Sequence, residues 1–593
     1  MAGTVTVGTR AVRRGSAPAR VLTALRQPVV LLGLVTAAVL GLLVLAPLGG
    51  LLSSTFQGGG PAAWRDVLAS PLSRNLLWVP LANSLIVGLV TALGATQLGG
   101  GLAWLVVMTD VPFKRAIGLL AAIPFALPTF ALALAWESVF RNDLIGGRVG
   151  ILQGLGASLP DWLSWGPVPV ALVLIGHYYA LTFLLTSAAL AGVNGDLMEA
   201  GEMAGASRAR VAVSIALPVV TPALVSSALL AFAEGISNFA APALLGLPVR
   251  YQTLSTRLYG ALSTGQYERG YVLSVLLIVL ASLVLLASTK AVGARRSFTT
   301  ITGKGSRRQL LRLGRLRGPA SALALGAVSL TTVVPLIILL LSSLTLRTND
   351  LSGGLTLHFW IGGSDPSIAQ GQRGVLTNPV VLEAASTTIV LGLSVALGAT
   401  LLGLAVGYVM SRLKGARPVT VTLALLAFLP FLVPGIGFGA AYIAQFGRAI
   451  GPIPALYGTF AILVLAGAAF TLPYASQAGR SSIGQISPDL EEAATMAGAG
   501  LPRRIGRVVV PLASRGLVAG GVLAFVKIIS DLSLVVLLAT PATQLLAVVT
   551  YRYAAEGFTQ FGNAITVIIA VIAIAATALA RRLQGRAPSG VQE

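Results

Sequence analysis

The sequence contains no cysteine, only two histidines (His177 and His358) and very little charge, with 10% of its 593 residues being Asp, Glu, Lys or Arg. Each shortage excludes a class of chemistry. Without cysteine there are no disulfides, zinc ribbons, iron–sulfur clusters or thiol catalysis. Two isolated imidazoles make a histidine metal site improbable. A soluble chain of this length would be roughly one quarter charged, and this one could not cover its surface in water. Apolar residues stand in place of charge: 55% of the chain is hydrophobic and its mean hydropathy is +0.86. The implied solvent is a bilayer. The 68 glycines and 31 prolines agree, because neighbouring helices in a membrane re-satisfy backbone groups that such residues free.

Charge-free runs long enough to cross about 30 Å of hydrocarbon, roughly 20 residues each, occur throughout. They are 27–64, 75–109, 116–136, 162–195, 318–346, 384–411, 418–447, 449–479 and 557–580. The run 271–289 is a minimal span, and two further apolar stretches, 211–249 and 516–551, are interrupted by Glu234 and by Lys527 and Asp531. Together these predict an all-α membrane protein of about twelve spans. The N-terminal run is too long for the apolar region of a signal peptide, so 29–52 reads as a retained first span.

A net charge of +22 would in a soluble protein suggest nucleic acid, but its placement argues otherwise. With both termini cytoplasmic, the inner segments hold 29 of the 41 Lys and Arg residues, against 11 outside and Lys527 within a span. That asymmetry follows the positive-inside rule, predicts cytoplasmic termini and leaves no case for nucleic acid.

An internal repeat organises the chain. Glu199-Ala200-Gly201, Gly205 and Ile215-Ala216-Leu217-Pro218 recur as Glu492-Ala493-Ala494, Gly498 and Val508-Val509-Val510-Pro511, displaced by 293. Ala92 to Thr96 recur as Ala396 to Thr400, displaced by 304, which places about 11 extra residues in the first half, in the outer loop 137–168. Matched features in the same order imply duplication into two six-span halves. The expected layout is a basic cytoplasmic tail 1–28, a first repeat 29–293, a basic linker 294–320, a second repeat 321–581 and a tail 582–593. The repeated polar segments, about 192–222 and 480–515, fall between the fourth and fifth spans of each half. Glu199 and Glu202 share a helical face, Gly205 permits a turn that a Cβ would hinder, and Pro218 marks entry to the next span. These features predict two short helices lying on the membrane face, either as plain interface helices or as a surface suited to docking.

The pattern Glu-Ala-Ala, three residues, Gly, nine residues, Ile-x-Leu-Pro resembles the signature loop of permease subunits of bacterial ATP-binding-cassette importers. Gly201, Val508 and Val510 are departures that change neither charge nor the turn glycine. The resemblance covers essentially the whole chain as a fused pair of permease domains. It implies a multi-pass protein of the bacterial inner membrane whose loops seat in separate ATP-binding-cassette ATPase subunits, two copies, with Glu199, Gly205, Glu492 and Gly498 at the coupling positions. It also implies a periplasmic or lipoprotein substrate-binding protein as partner. No phosphate-binding Gly-x4-Gly-Lys-Ser/Thr loop occurs, so ATP hydrolysis falls to another chain; no cofactor is implied. The segments 237–246 and 530–538 most resemble the ferric-iron importer branch, with relatives moving thiamine, aminoethylphosphonate or polyamines as alternatives.

Ionisable groups within spans cost about 2.5 to 3.5 kcal/mol each on insertion scales, so they point to function or to pairing. At the 293 displacement Glu234, Ser237 and Asn238 align with Lys527, Ser530 and Asp531. These six are the candidate lining or gate of a translocation path. Lys527 and Asp531, four apart, can pair within one helix, or Glu234 can reach Lys527 across the pseudo-two-fold. His177 reads as a buried hydrogen-bonded histidine rather than a ligand, and His358 beside Phe359 and Trp360 as part of an interface aromatic cluster. A self-sufficient carrier using Glu234 and Asp531 to move protons is the competing class, which two matched docking loops disfavour.

Overall fold

The structure, a computed structural model, describes residues 28–193, 200–293, 310–413, 416–452 and 454–584. Within them ten helices are long and apolar enough to cross a bilayer, and two further pairs are each bent sharply at a short break. Counting each bent pair as one span gives twelve. In the first half they are Pro28–Ser54, Arg74–Met108, the pair Lys114–Phe125 and Thr129–Phe140, Asp161–Ala191, Val213–Ser237 and Tyr267–Val284. The second half comprises Gly314–Leu344, Pro379–Arg412, the pair Arg417–Leu432 and Gly435–Phe446, Phe460–Gly484, Leu501–Ser530 and Thr559–Arg582.

The third and ninth spans, each read from the sequence as one charge-free run, bend by 98° and 111°. The cause is a matched pair of prolines. Pro124-Phe125-Ala126-Leu127-Pro128 recurs as Pro430-Phe431-Leu432-Val433-Pro434, and the second proline of each set forces its predecessor out of helical conformation. Pro218 and Pro511 act differently. Each follows a π turn, Ala212–Ala216 and Ile505–Val509, as do Pro47, Pro80 and Pro335 in their own spans. Widening the helix by one residue accommodates the ring and the missing N–H without a break. The expectation of two separate short helices in each polar loop is therefore corrected. Only the first arm is separate, Pro488–Met496 in the second repeat, while the second arm, from Leu501, runs through its π turn into the eleventh span.

The halves are interlocked. The first span packs on the eighth and ninth, and the seventh packs on the third and twelfth. Carbonyls near the π turns are used in these crossings: Tyr442 donates its hydroxyl to the Leu43 carbonyl at 2.7 Å, and Thr332 to that of Leu120 at 3.1 Å. Asn563 of the twelfth span donates to Ser138 and Ser342 at 3.1 and 2.8 Å. The described end of the linker pairs with the second span through a bridge between Thr109 and Leu311. A small hairpin, Thr345–Arg347 with Asp350–Leu355, follows the seventh span, a departure from a purely helical reading. His358 sits beside Phe359, which packs edge-on to Phe561, so the expected aromatic cluster is present.

Within each half the second and fourth spans meet at glycine. A Cβ at Gly99 would collide with Tyr179 and Thr182, and one at the equivalent Gly403 with the Ala475 backbone. Close approach of this kind lets the Thr182 hydroxyl reach the Ala95 carbonyl at 2.6 Å. Gly403→Leu is expected to lower stability by about 3 kcal/mol or more through overpacking. Gly326→Leu, in open space, should be near neutral. Thermal unfolding of both in detergent checks the difference.

Candidate functional site

Two regions carry the residues of interest: the matched polar loops and a cavity where the fifth and eleventh spans end.

The loops share one turn. Gly205 and Gly498 adopt φ of +83° and +80°, a left-handed conformation that costs glycine nothing. In both, the glycine N–H bonds to the carbonyl three residues back, Glu202 or Thr495, and the next N–H bonds five residues back, to Gly201 or Ala494. This double closure ends the first arm and exposes its last residues. The most exposed are Met203 and Met496, at 88% and 90%, in equivalent repeat positions. Small alanines, Ala204 and Ala497, follow them, but the methionines themselves escape a reading by charge and turn residues; two exposed apolar side chains at the same repeat position are the available signal. Glu492 and Gly498 are exposed, and Glu199 lies outside the described residues. The neighbouring Glu491 is buried, with both oxygens taken by Tyr408 and Arg412 at 2.6 Å. Local spacing does not reveal it, because its partners lie about 80 residues away in the eighth span.

The cavity lies where the fifth and eleventh spans stop. Ser237 and Ser530 are the last helical residues, and Asn238 and Asp531 take extended conformations. Each then caps a short helix three residues on: Asn238 Oδ1 accepts from the Ala241 N–H at 3.0 Å, and Asp531 Oδ1 from Leu534 at 2.8 Å. The short helices, Ala240–Leu245 and Val535–Leu538, follow the breaks directly. The repeat aligns this pair of residues, but their cap role emerges only from the structure.

All six aligned residues line one cavity of about 80 Å³, with His177, Tyr178, Phe125, Phe431, Phe470 and Tyr474 among the other walls. That space suits a few waters. Lys527 pairs with Asp531 at 3.2 Å within its own helix, and its ammonium lies 5.6 Å from the Phe470 ring centre. Glu234 and Lys527 face the same cavity without closing to a direct ion pair. Glu234 instead accepts from the Tyr178 hydroxyl at 3.4 Å, and that hydroxyl accepts from Asn238 at 3.1 Å. The reason is reach: Asp531 stands one turn from Lys527 on the same face. Ser530 crosses to the first half, donating to the Ala126 carbonyl at 3.4 Å, whereas Ser237 closes onto its own helix at Ala233. His177 is buried as expected, yet its Nδ1 has no hydrogen-bond partner among the described residues. No group of three or more His, Asp or Glu able to hold a metal occurs among the described residues.

Lys527→Met should destabilise the protein by about 3–5 kcal/mol, because it strands a buried carboxylate. Adding Asp531→Asn, which keeps the cap, is expected to recover most of that loss, and adding Glu234→Gln much less. A double-mutant cycle on unfolding in detergent separates the two pairings.

Comparison with known proteins agrees with the repeat. The family model for the inner membrane component of binding-protein-dependent transport systems matches residues 95–297 and again 399–587. The ferric transport system permease protein FbpB of Actinobacillus pleuropneumoniae is 25% identical over 501 residues, 82% of this chain and 68% of that protein. A putative ferric transport system permease protein, FbpB 1 of Haemophilus influenzae, is 24% identical over 507 residues, 83% of this chain and 75% of that one. The molybdenum transport system permease protein ModB of Escherichia coli is 28% identical over 215 residues, covering 36% of this chain and 91% of its own length. In this family the permease acts with a separate ATPase subunit and a substrate-binding protein. The chain belongs to the family of binding-protein-dependent transport system inner membrane components, as a multi-pass permease carrying two copies of its domain.

Proposed function

We propose that the two halves together form the translocation path of an ATP-driven importer of ferric iron, with 192–222 and 480–515 as its coupling loops. The observation that carries the coupling assignment is the matched turn. Two left-handed glycines, Gly205 and Gly498, each present an exposed methionine on an otherwise small-residue surface. An exposed, polarizable side chain of that kind suits insertion into an apolar cleft. Two such surfaces match two ATPase subunits, with Glu199 and Glu492 beside them meeting the ATPase. Both termini and both loops lie on the cytoplasmic side in this reading, and a periplasmic or lipoprotein binding protein delivers cargo to the opposite face.

The choice of cargo rests on charge. The cavity holds two carboxyl groups, Glu234 and Asp531, against one ammonium, Lys527. An oxyanion such as molybdate would meet net repulsion there, whereas a cation would not. That supports the ferric reading drawn from the two long matches over a molybdate or sulfate reading drawn from half-length ones. Thiamine or a polyamine, both cationic, and zwitterionic aminoethylphosphonate are the alternatives within the class. An ion-driven carrier has no use for paired docking surfaces.

Proteoliposomes holding the chain, its ATPase and its binding protein should take up ferric iron only with ATP in the compartment that the ATPase faces. Preferred uptake of molybdate, or uptake driven by an ion gradient without ATPase, overturns the reading. Replacing Glu199 and Glu492 by Lys together is expected to abolish uptake while leaving the chain inserted; each single change should be milder. Retained substrate-stimulated ATP hydrolysis in the double variant would count against the coupling role.

A further inference from the structure

The helices Leu254–Ser263 and Leu546–Ala555 follow the two breaks and are one element built twice. Each begins on a hydroxyl from the same half. Ser84 of the second span accepts from the Leu254 N–H at 2.8 Å, and Thr388 of the eighth span from the Leu546 N–H at 2.9 Å. Ser84 and Thr388 are displaced by 304, as Ala92 and Ala396 are, so the shared hydrogen bond makes Leu254 and Leu546 equivalent in the repeat. Five residues on, each helix carries a tyrosine, Tyr259 and Tyr551. These equivalent side chains pack edge-on, with ring centres 6.3 Å apart and planes at 88°. The fully buried Phe239 ring packs on both, 4.7 Å from Tyr259 and 5.5 Å from Tyr551.

Side chains that meet their own repeat equivalents lie on the axis relating the two halves. Six spans in each half keep the copies parallel, so that axis runs along the bilayer normal. A path shared by both halves follows the same line, and a pair of rings on the axis stands across it. The rings also adjoin the central cavity. Phe239 follows Asn238, a wall residue, and its N–H donates to Ser533, another wall residue, at 3.4 Å. Ser255, one turn before Tyr259 on the same helix face, donates its hydroxyl to the Asn238 carbonyl at 2.7 Å. The helix that carries Tyr259 is thereby tied to the backbone where the fifth span stops. Both tyrosine helices belong to connections after the fifth and eleventh spans, on the face away from the polar loops. Aromatic edges part without stranding a buried donor or acceptor, which suits a contact that opens and closes.

We propose that Tyr259 and Tyr551, with Phe239 packed on both, form the gate that closes the central cavity toward the face opposite the coupling loops. Cargo delivered to that face enters when the two tyrosine rings part, and Ser255 links the position of Tyr259 to the break at Asn238. The proposal rests on reading the space between the halves as the translocation path.

The absence of cysteine lets one reporter thiol be placed cleanly. In proteoliposomes of known orientation holding the full chain, Leu230→Cys in the cavity wall should react slowly with a membrane-impermeant thiosulfonate added on the face away from the polar loops. Tyr259→Ala with Tyr551→Ala should raise that rate about tenfold, since the two rings fill the space the reagent must cross. Tyr259→Phe with Tyr551→Phe, which keeps the rings, should leave it slow. The rate from the loop side should be the same in all three, which a general loosening of the fold would not allow. A second arm does not depend on the alanine pair inserting. In the complex with ATPase and binding protein, Tyr259→Cys joined to Tyr551→Cys by a short bifunctional thiosulfonate should abolish the ATP hydrolysis that the binding protein stimulates, and reduction should restore it. An unchanged rate in an alanine pair that inserts, or full hydrolysis with the two positions joined, overturns the gate. If Leu230→Cys stays unreactive from either face while the complex turns over ATP, the path reading itself fails and the gate with it; a reporter that responds to ATP but not to the alanine pair removes the gate alone.

Discussion

A helix that stops inside a bilayer must find partners for the backbone groups it frees, since no bulk water is there to take them. Much of this molecule depends on how that constraint is met at Asn238 and Asp531. Each follows a long span and accepts from a backbone N–H three residues on, at the start of a short helix, so both breaks are closed by a side chain from the break itself. Because the caps are polar, the space between them is polar, and the cavity forms there. Ser533 accepts from the Phe239 N–H at 3.4 Å, joining the two breaks across the halves. The same residues therefore make the spans discontinuous, hold the halves together and line the central space.

Glutamates, glycines and prolines at fixed spacing make the duplication legible, because a displacement of 293 is preserved from Glu199 through Asn238. The span count is legible for a similar reason: a run of twenty or more residues without charge can hardly face water, so each one marks a crossing. Bends are not legible in this way, although their cause stands in the sequence as two Pro-Phe-x-x-Pro segments, since a hydropathy run registers length and not direction. Pro218 reads as a helix start, when in fact a π turn carries the helix through it. Among the site residues, position is predictable and partnership is not. All six aligned polar residues meet in one cavity, but which carboxylate pairs with Lys527 depends on side-chain reach, which spacing alone leaves open.

The pairing that results leaves an uneven cavity. Lys527 is neutralised by its neighbour one turn away, while Glu234 is held by the Tyr178 hydroxyl. At the bilayer centre an ionisable group in that position is costly unless something offsets it at some stage of a cycle. A cation entering the cavity would offset it, and so would a shift of Lys527 toward Glu234.

Such inequality is open to a fused chain and closed to a permease built from two identical subunits. In a homodimer the aligned positions must match, so a lysine at one break means a lysine at the other and two ammonium groups facing one small space. Covalent joining releases that restriction, and Glu234 opposite Lys527 is one outcome. It also imposes a new one. A linker must join the halves, and its described end is seated on Met108, Thr109 and Asp110. In the second half the equivalent end of the eighth span holds Glu491. The two loops keep the same turn and the same exposed methionine, while the described residues behind them differ: the linker's end is seated on the second span, and Glu491 on the eighth.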